Sequence, residues 1–189
     1  TGPDSYIGLQ DYFQLEGLTY RVVPIKTPSD PRTGSLGRVA ADLMFENVTK
    51  KFKWGNMETE GPIYLDENIL RMTTNLRLQL SSLAEDLIAL GRNDDARTIL
   101  DLSLEKMPDR NVPYDRILLP TVEAYYALKK NEKANALTER LFSVIRRLRA
   151  EGVSVLYVSH FLEEVKARRG AHLKAGVDVA TGEVWAGPE

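Results

Sequence analysis

The chain has no cysteine in 189 residues, which excludes disulfides, thiolate metal sites and a cysteine nucleophile while leaving the compartment open. It has only two histidines, His160 and His172, and no third ligand stands at a spacing that would make them a metal pair. There is no Gly-Lys dipeptide, so no glycine-rich loop ending in Gly-Lys-Ser/Thr can cradle a nucleotide phosphate. No apolar run approaches the roughly 18 residues that span a bilayer, and no basic start with an apolar centre resembles a signal peptide. If the chain belongs to a membrane protein, the membrane part lies elsewhere. Basic excess is missing too: 25 Lys and Arg stand against 27 Asp and Glu, scattered among one another, for a net charge of −2. Nucleic acid, which needs a basic stripe, is not an expected partner. What the chain does have is 43% hydrophobic residues, enough for a packed core.

Three regions follow from the pattern. Residues 1–61 read as a cap: a β-rich run Leu18 to Ile25, a breaker segment Lys26 to Gly37, then a helix from Val39 carrying Leu43, Met44, Val48 and Phe52, with Gly55 after its end. Residues 62–151 are helical. Leu76, Leu80, Leu83, Leu87 and Leu90 alternate steps of four and three along one face, and Gly91 is placed to end that helix. The next helix carries Ala96, Ile99, Leu100, Ser103 and Met107 and stops at Pro108. The pattern then returns at a shift of 38, with "ALGRNDDARTIL" (Ala89 to Leu100) matching "ALKKNEKANAL" (Ala127 to Leu137). Leu90 falls on Leu128, Asn93 on Asn131, Ala96 on Ala134, and Leu87 on Tyr125. Small residues at a helix crossing and a short polar turn resemble the tetratricopeptide repeat, whose period of about 34 residues places the surplus in "DRNVPYDR", Asp109 to Arg116. An ordinary four-helix bundle with a chance match is the other reading. Residues 152–189 form an extension: an apolar strand Val153 to Val158, a helix, and a hairpin in "VDVATGEVW" around Thr181 and Gly182. The expected class is mainly α with minor β: antiparallel helix pairs of tetratricopeptide-like type, an N-terminal strand and helix cap, and a C-terminal strand-helix-hairpin extension.

Four blocks in order carry a longer resemblance: "GLQDYFQLEGLTYRVVPIKT", "GRVAADLMFENVTKKFKWGNM", "IYLDENILRMTTNLR" and "NVPYDRILLPTVEAYYALKKNEKANAL". Over Tyr6 to Leu141 the chain resembles the C-terminal region of a bacterial family of polytopic membrane proteins, formerly a domain of unknown function, now grouped with type-C glycosyltransferases that O-glycosylate secreted proteins. The resemblance implies a soluble tail on the extracytoplasmic, periplasmic face of the inner membrane. It places sugar transfer in loops of a preceding membrane domain, so it carries no catalytic position onto this chain.

A second resemblance starts inside the last helix. "ERLFSVIRRLRAEGVSVLYVSHFLEEV", Glu139 to Val165, is similar to the cytoplasmic ATPase subunit of sugar-import ABC transporters up to its switch histidine, which implies His160 beside a γ-phosphate. The phosphate loop and the Leu-Ser-Gly-Gly signature of those ATPases are both missing. "IYLDE", Ile63 to Glu67, imitates their magnesium motif, but Asp66 stands 94 residues from His160 and reads better as the N-cap of the Leu76 helix. The two resemblances disagree about location. A composite chain joined near Asn135 to Phe142, along one stripe of Leu137, Leu141, Val144, Ile145 and Leu148, would explain this, and so would convergence on a common helix-Gly-strand-helix unit. The basic cluster Lys166, Arg168, Arg169, His172 and Lys174 reads as a solvated face.

The sequence thus leads to the expectation of a non-catalytic accessory region of a glycosyltransferase-like membrane protein, meeting a protein partner or the parent membrane domain. No cofactor or metal is expected, and no span of its own. The alternative is a fragment of an ABC-type nucleotide-binding module, cytoplasmic, with His160 as its switch residue.

Overall fold

The computed structural model describes residues 7–27, 36–150, 175–177 and 184–186. The chain divides into two compact units, Thr1–Phe142 and Ser143–Glu189. Among the described residues it is mainly helical, with packed helix pairs and a small sheet.

In the first unit three short strands form a sheet in the order β2-β1-β3, with β1 at Phe13–Leu15, β2 at Tyr20–Val22 and β3 at Arg38–Val39. β1 pairs antiparallel with β2 (Phe13 opposite Val22) and parallel with β3 (Leu15 opposite Val39). This corrects the single strand expected over Leu18 to Ile25: only its middle is strand, and its partner β1 was not anticipated. β2 is exposed at every residue, so it shows no buried alternation to read. Val39, expected to open the helix, instead extends the sheet. The Ala40 N–H donates to Leu15 C=O at 2.9 Å, and helix α1 (Ala41–Glu46) starts only after it. α1 widens into a π-helical turn, Asn47–Lys51, closed by the Phe52 N–H on Asn47 C=O at 3.0 Å. Leu15, Met44 and Val48 are its share of the core.

α2, Glu67–Ala89, is the spine. Its 23 residues rise roughly 35 Å. Asp66 caps it as read from the sequence, accepting the Ile69 N–H at 2.9 Å. Leu76, Leu80, Leu83, Ala84 and Leu87 are buried on one face, which packs against α3 (Asn93–Lys106) and α4 (Leu119–Ala127). Leu90 is 63% exposed and leaves the expected stripe, because it lies in the capping turn where the helical phase has ended. On α3, Ala96, Ile99, Leu100 and Ser103 are buried, as is Met107 just past its end. A 3-10 turn, Arg116–Leu118, capped by Asp115 on the Ile117 N–H at 2.9 Å, leads into α4. α5, Asn131–Ala150, contributes Ala134 and Leu137 to the core and runs unbroken across Asn135 to Phe142. Ala96 and Ala134, 38 residues apart, both have no exposed surface, which lets neighbouring helices approach closely. The correspondence is local rather than whole-helix, since α2 has 23 residues and α4 nine.

The charged residue buried in this core, among the described residues, is Arg77 on α2. Its Nη2 donates to the carbonyls of Met107 (2.8 Å) and Val112 (3.0 Å), and its Nη1 to that of Pro113 (3.3 Å). The guanidinium lies 4.9 Å from the Tyr114 ring centroid. Burial pushes it below its ordinary pKa, against the pull of Tyr114, Asp115 and Asp109. Within the α3–α4 connection the Pro108 carbonyl is met by the Asn111 and Val112 N–H groups, whereas those of Met107, Val112 and Pro113 find their donors on this one side chain. Ser81 and Thr121, 2.7 Å apart, add the matching bond between α2 and α4.

The second unit has a two-stranded antiparallel pair, β4 (Ala175–Val177) with β5 (Val184–Ala186), Val177 opposite Val184. The pair overlaps the stretch Val177 to Trp185 expected to form a hairpin; Thr181 and Gly182, and the expected strand Val153 to Val158, lie outside the described residues.

Candidate functional site

Two helix-helix turns in the first unit have one backbone geometry. After α2, Gly91 takes φ +75°, its N–H donates to Ile88 C=O (2.9 Å), and the Arg92 N–H donates to Leu87 C=O (2.8 Å). After α4, Lys129 takes φ +58°, its N–H donates to Tyr126 C=O (2.9 Å), and the Lys130 N–H donates to Tyr125 C=O (2.9 Å). Both are Schellman caps, which satisfy the last free carbonyls of a helix through a residue in the left-handed region. The cap fixes where the next side chains project.

Those side chains differ in charge. The first turn reads Gly91, Arg92, Asn93, Asp94, Asp95; the second reads Lys129, Lys130, Asn131, Glu132, Lys133. In the first, Arg92 Nε donates to Asp95 at 2.8 Å, Nη1 bonds Asp42 of α1, and the guanidinium lies 5.4 Å from the Phe45 ring. α1 therefore closes the first turn. The second turn borders an open groove of 740 Å³ whose walls include Arg97 and Asp101 of α3, Tyr125 of α4, Lys129 and Lys130 of the turn, and Lys133 of α5.

Asp101 is the wall residue that ties α3 to both α4 and α5. Its Oδ1 accepts the Tyr125 hydroxyl and the Lys133 ammonium, each at 2.6 Å, and the ammonium lies 5.4 Å from the Tyr125 ring centroid. Burial pushes the Asp101 carboxyl up, but the bonds from Lys133 and Tyr125 outweigh it and hold the group below the ordinary carboxylate range. Burial, reinforced by the bond to Asp101, raises the Tyr125 phenol and keeps it protonated. The groove thus holds a tethered carboxylate beside the exposed ammonium groups of Lys129 and Lys130.

The structure places Asp66 at the start of α2 as a cap, on neither turn. His160, the residue implied by the ATPase resemblance, and Lys166, Arg168, Arg169, His172 and Lys174 lie outside the described residues. None of the groove residues was singled out from sequence as a site. The available signal was the repeat register itself, in which Asp95 becomes Lys133 and Gly91 becomes Lys129. Among the described residues no group of three or more His, Asp and Glu is arranged to hold a metal ion, and no helix is long and apolar enough to cross a membrane.

Comparison with known proteins gives one partial likeness. The profile of TMEM260-associated domain 2 matches residues 1–43, a span that contains the three-stranded sheet and the first residues of α1. Neither a curated protein nor a solved structure gives a significant match.

Proposed function

We propose that this chain is a non-catalytic accessory region of a glycosyltransferase-like membrane protein, standing on the extracytoplasmic face and offering its helix pairs as a docking surface to a protein partner or to the parent membrane domain. The observation that carries the reading is the contrast between core and groove. The acids and bases that link elements, Arg77, Arg92 with Asp42, Lys106 with Glu58, and Arg140 with Asp109, are each tied to one another or to backbone carbonyls as structural staples. The second turn instead offers charged side chains to an open groove on a rigid support. That is the arrangement of a recognition surface. The likeness of residues 1–43 to TMEM260-associated domain 2 agrees with such a parent.

Two measurements test it. The reading frame that encodes the chain is expected to specify a series of hydrophobic spans, and a frame without them removes the membrane parent. The isolated chain is expected to transfer no sugar from a lipid-linked donor to a peptide acceptor. Transfer that a single substitution abolishes would make it an enzyme in its own right.

A further inference from the structure

The geometry points to the groove between α3 and the α4–α5 turn as the binding site for an acidic, extended segment of a protein partner; this deepens the docking role proposed above and rests on it. Charge comes first. Arg97, Lys129, Lys130 and Lys133 meet in one groove against Asp101 and Glu132, in a chain whose net charge is −2. Lys129 and Lys130 are exposed and hold no ion pair among the described residues, and Arg97 has a long 3.7 Å contact with Asp94 and a weaker charge interaction with Asp101. At the equivalent place in the first turn, Arg92 is already taken by Asp42 and Asp95. The second turn therefore has unspent positive charge where the first has none.

The groove wall decides the class of anion. Asp101 spends Oδ1 on Tyr125 and Lys133, while Oδ2 accepts no hydrogen bond from the described residues. A tethered carboxylate in the groove wall repels a phosphate group brought close to it, and it offers an acceptor to a backbone N–H. A peptide with acidic side chains uses both features: its amide donates to Asp101 and its carboxylates meet the rim cations. The groove volume of 740 Å³ lies within the roughly 300–1,000 Å³ usual for ligand clefts. A duplex or a lipid surface would be read by a broad convex basic face, and here the cations line a recess with an anion in its wall.

The test is fluorescence anisotropy of a fluorescein-labelled peptide of alternating glutamate and glycine, titrated with the whole chain. Saturable binding is expected, weakened at least about tenfold in the Lys129→Glu/Lys130→Glu double variant. That variant should keep its far-ultraviolet circular dichroism and melting temperature, because neither side chain bonds to another described residue. A lysine-glycine peptide of the same length should not bind. The proposal is overturned if the acidic peptide fails to bind, if the double variant binds it as well as the parent, or if inorganic phosphate or phosphatidylserine vesicles displace it as efficiently as unlabelled peptide. Sugar transfer by the chain alone would remove the accessory role without changing the anisotropy result, so the two failures are told apart.

Discussion

The α2–α3 and α4–α5 turns have the same capping bonds 38 residues apart, and they meet opposite surroundings. The first is closed by α1 through Asp42 and Phe45 on Arg92. The second is open, lined by lysines. The difference teaches that backbone and charge answer to separate constraints. The cap requires a residue able to take positive φ and two N–H groups in the right places, and it is indifferent to what projects outward. Exchanging Asp95 for Lys133 at the matching position removes the acid that neutralises Arg92 in the first turn and turns a structural joint into a receptive one.

The largest expected effect tests whether the first helix pair owes its rigidity to one cation. Arg77→Ala leaves the carbonyls of Met107, Val112 and Pro113 without a donor and should cost about 3–5 kcal/mol in urea unfolding. Arg77→Lys should rescue little, since one ammonium cannot serve a fork of carbonyls. A loss below about 1 kcal/mol would mean that the α3–α4 connection holds itself. Next come the stripe residues. Leu83→Ala and Leu87→Ala, both fully buried, should each cost about 2–5 kcal/mol, and near-neutral melts for both would contradict the packing described.

An exchange at the caps sharpens the comparison directly. Gly91→Lys forces a side chain into the left-handed region and should destabilise by about 1 kcal/mol, while Lys129→Gly should stabilise by up to about 1 kcal/mol. Equal and opposite shifts in denaturation midpoint would show that the turns are one structure with two sequences; no shift at either would show that tertiary contacts override the cap.

The smallest effect is pH dependence at Asp101. Its folded pKa lies below the unfolded value, so its contribution is present above about pH 4 and is lost as pH falls through the folded pKa. Asp101→Asn should flatten the fall in urea midpoint over that acid range. The change will be modest because Lys133 and Asp101 are both partly exposed. An unchanged acid slope would detach Asp101 from folding altogether.

Helix positions were largely legible because their signals are local. The four-three leucine steps, the Asp66 cap and the glycine after α2 each act within a turn or two, and the alanines at 96 and 134, matched in sequence, are both buried. The sheet was not legible for the opposite reason. Its strands have three, three and two residues, too few for an alternating pattern, and the β1–β3 pairing joins Gln14 to Arg38, 24 positions apart in sequence. Arg77 stands in a leucine stripe, where a charged residue reads as the solvent side; only the position of the α3–α4 connection makes it an interior donor. The groove was hidden likewise, since Arg97 and Lys133 lie on separate helices and become neighbours only once α3 and α5 flank Tyr125.

Gly37 shows how a chain of this kind can be told from its look-alikes. It takes φ +62°, and a Cβ there would stand 2.0 Å from the Phe13 carbonyl oxygen, where the first strand meets the third. No rotamer can relieve that overlap, because the obstructing atom is backbone. A side chain here therefore requires the Phe13 backbone to move, and with it the pairing of the first strand to the third. Gly37 is thus the position in residues 1–43 by which a sequence able to form this parallel pairing is expected to be recognised.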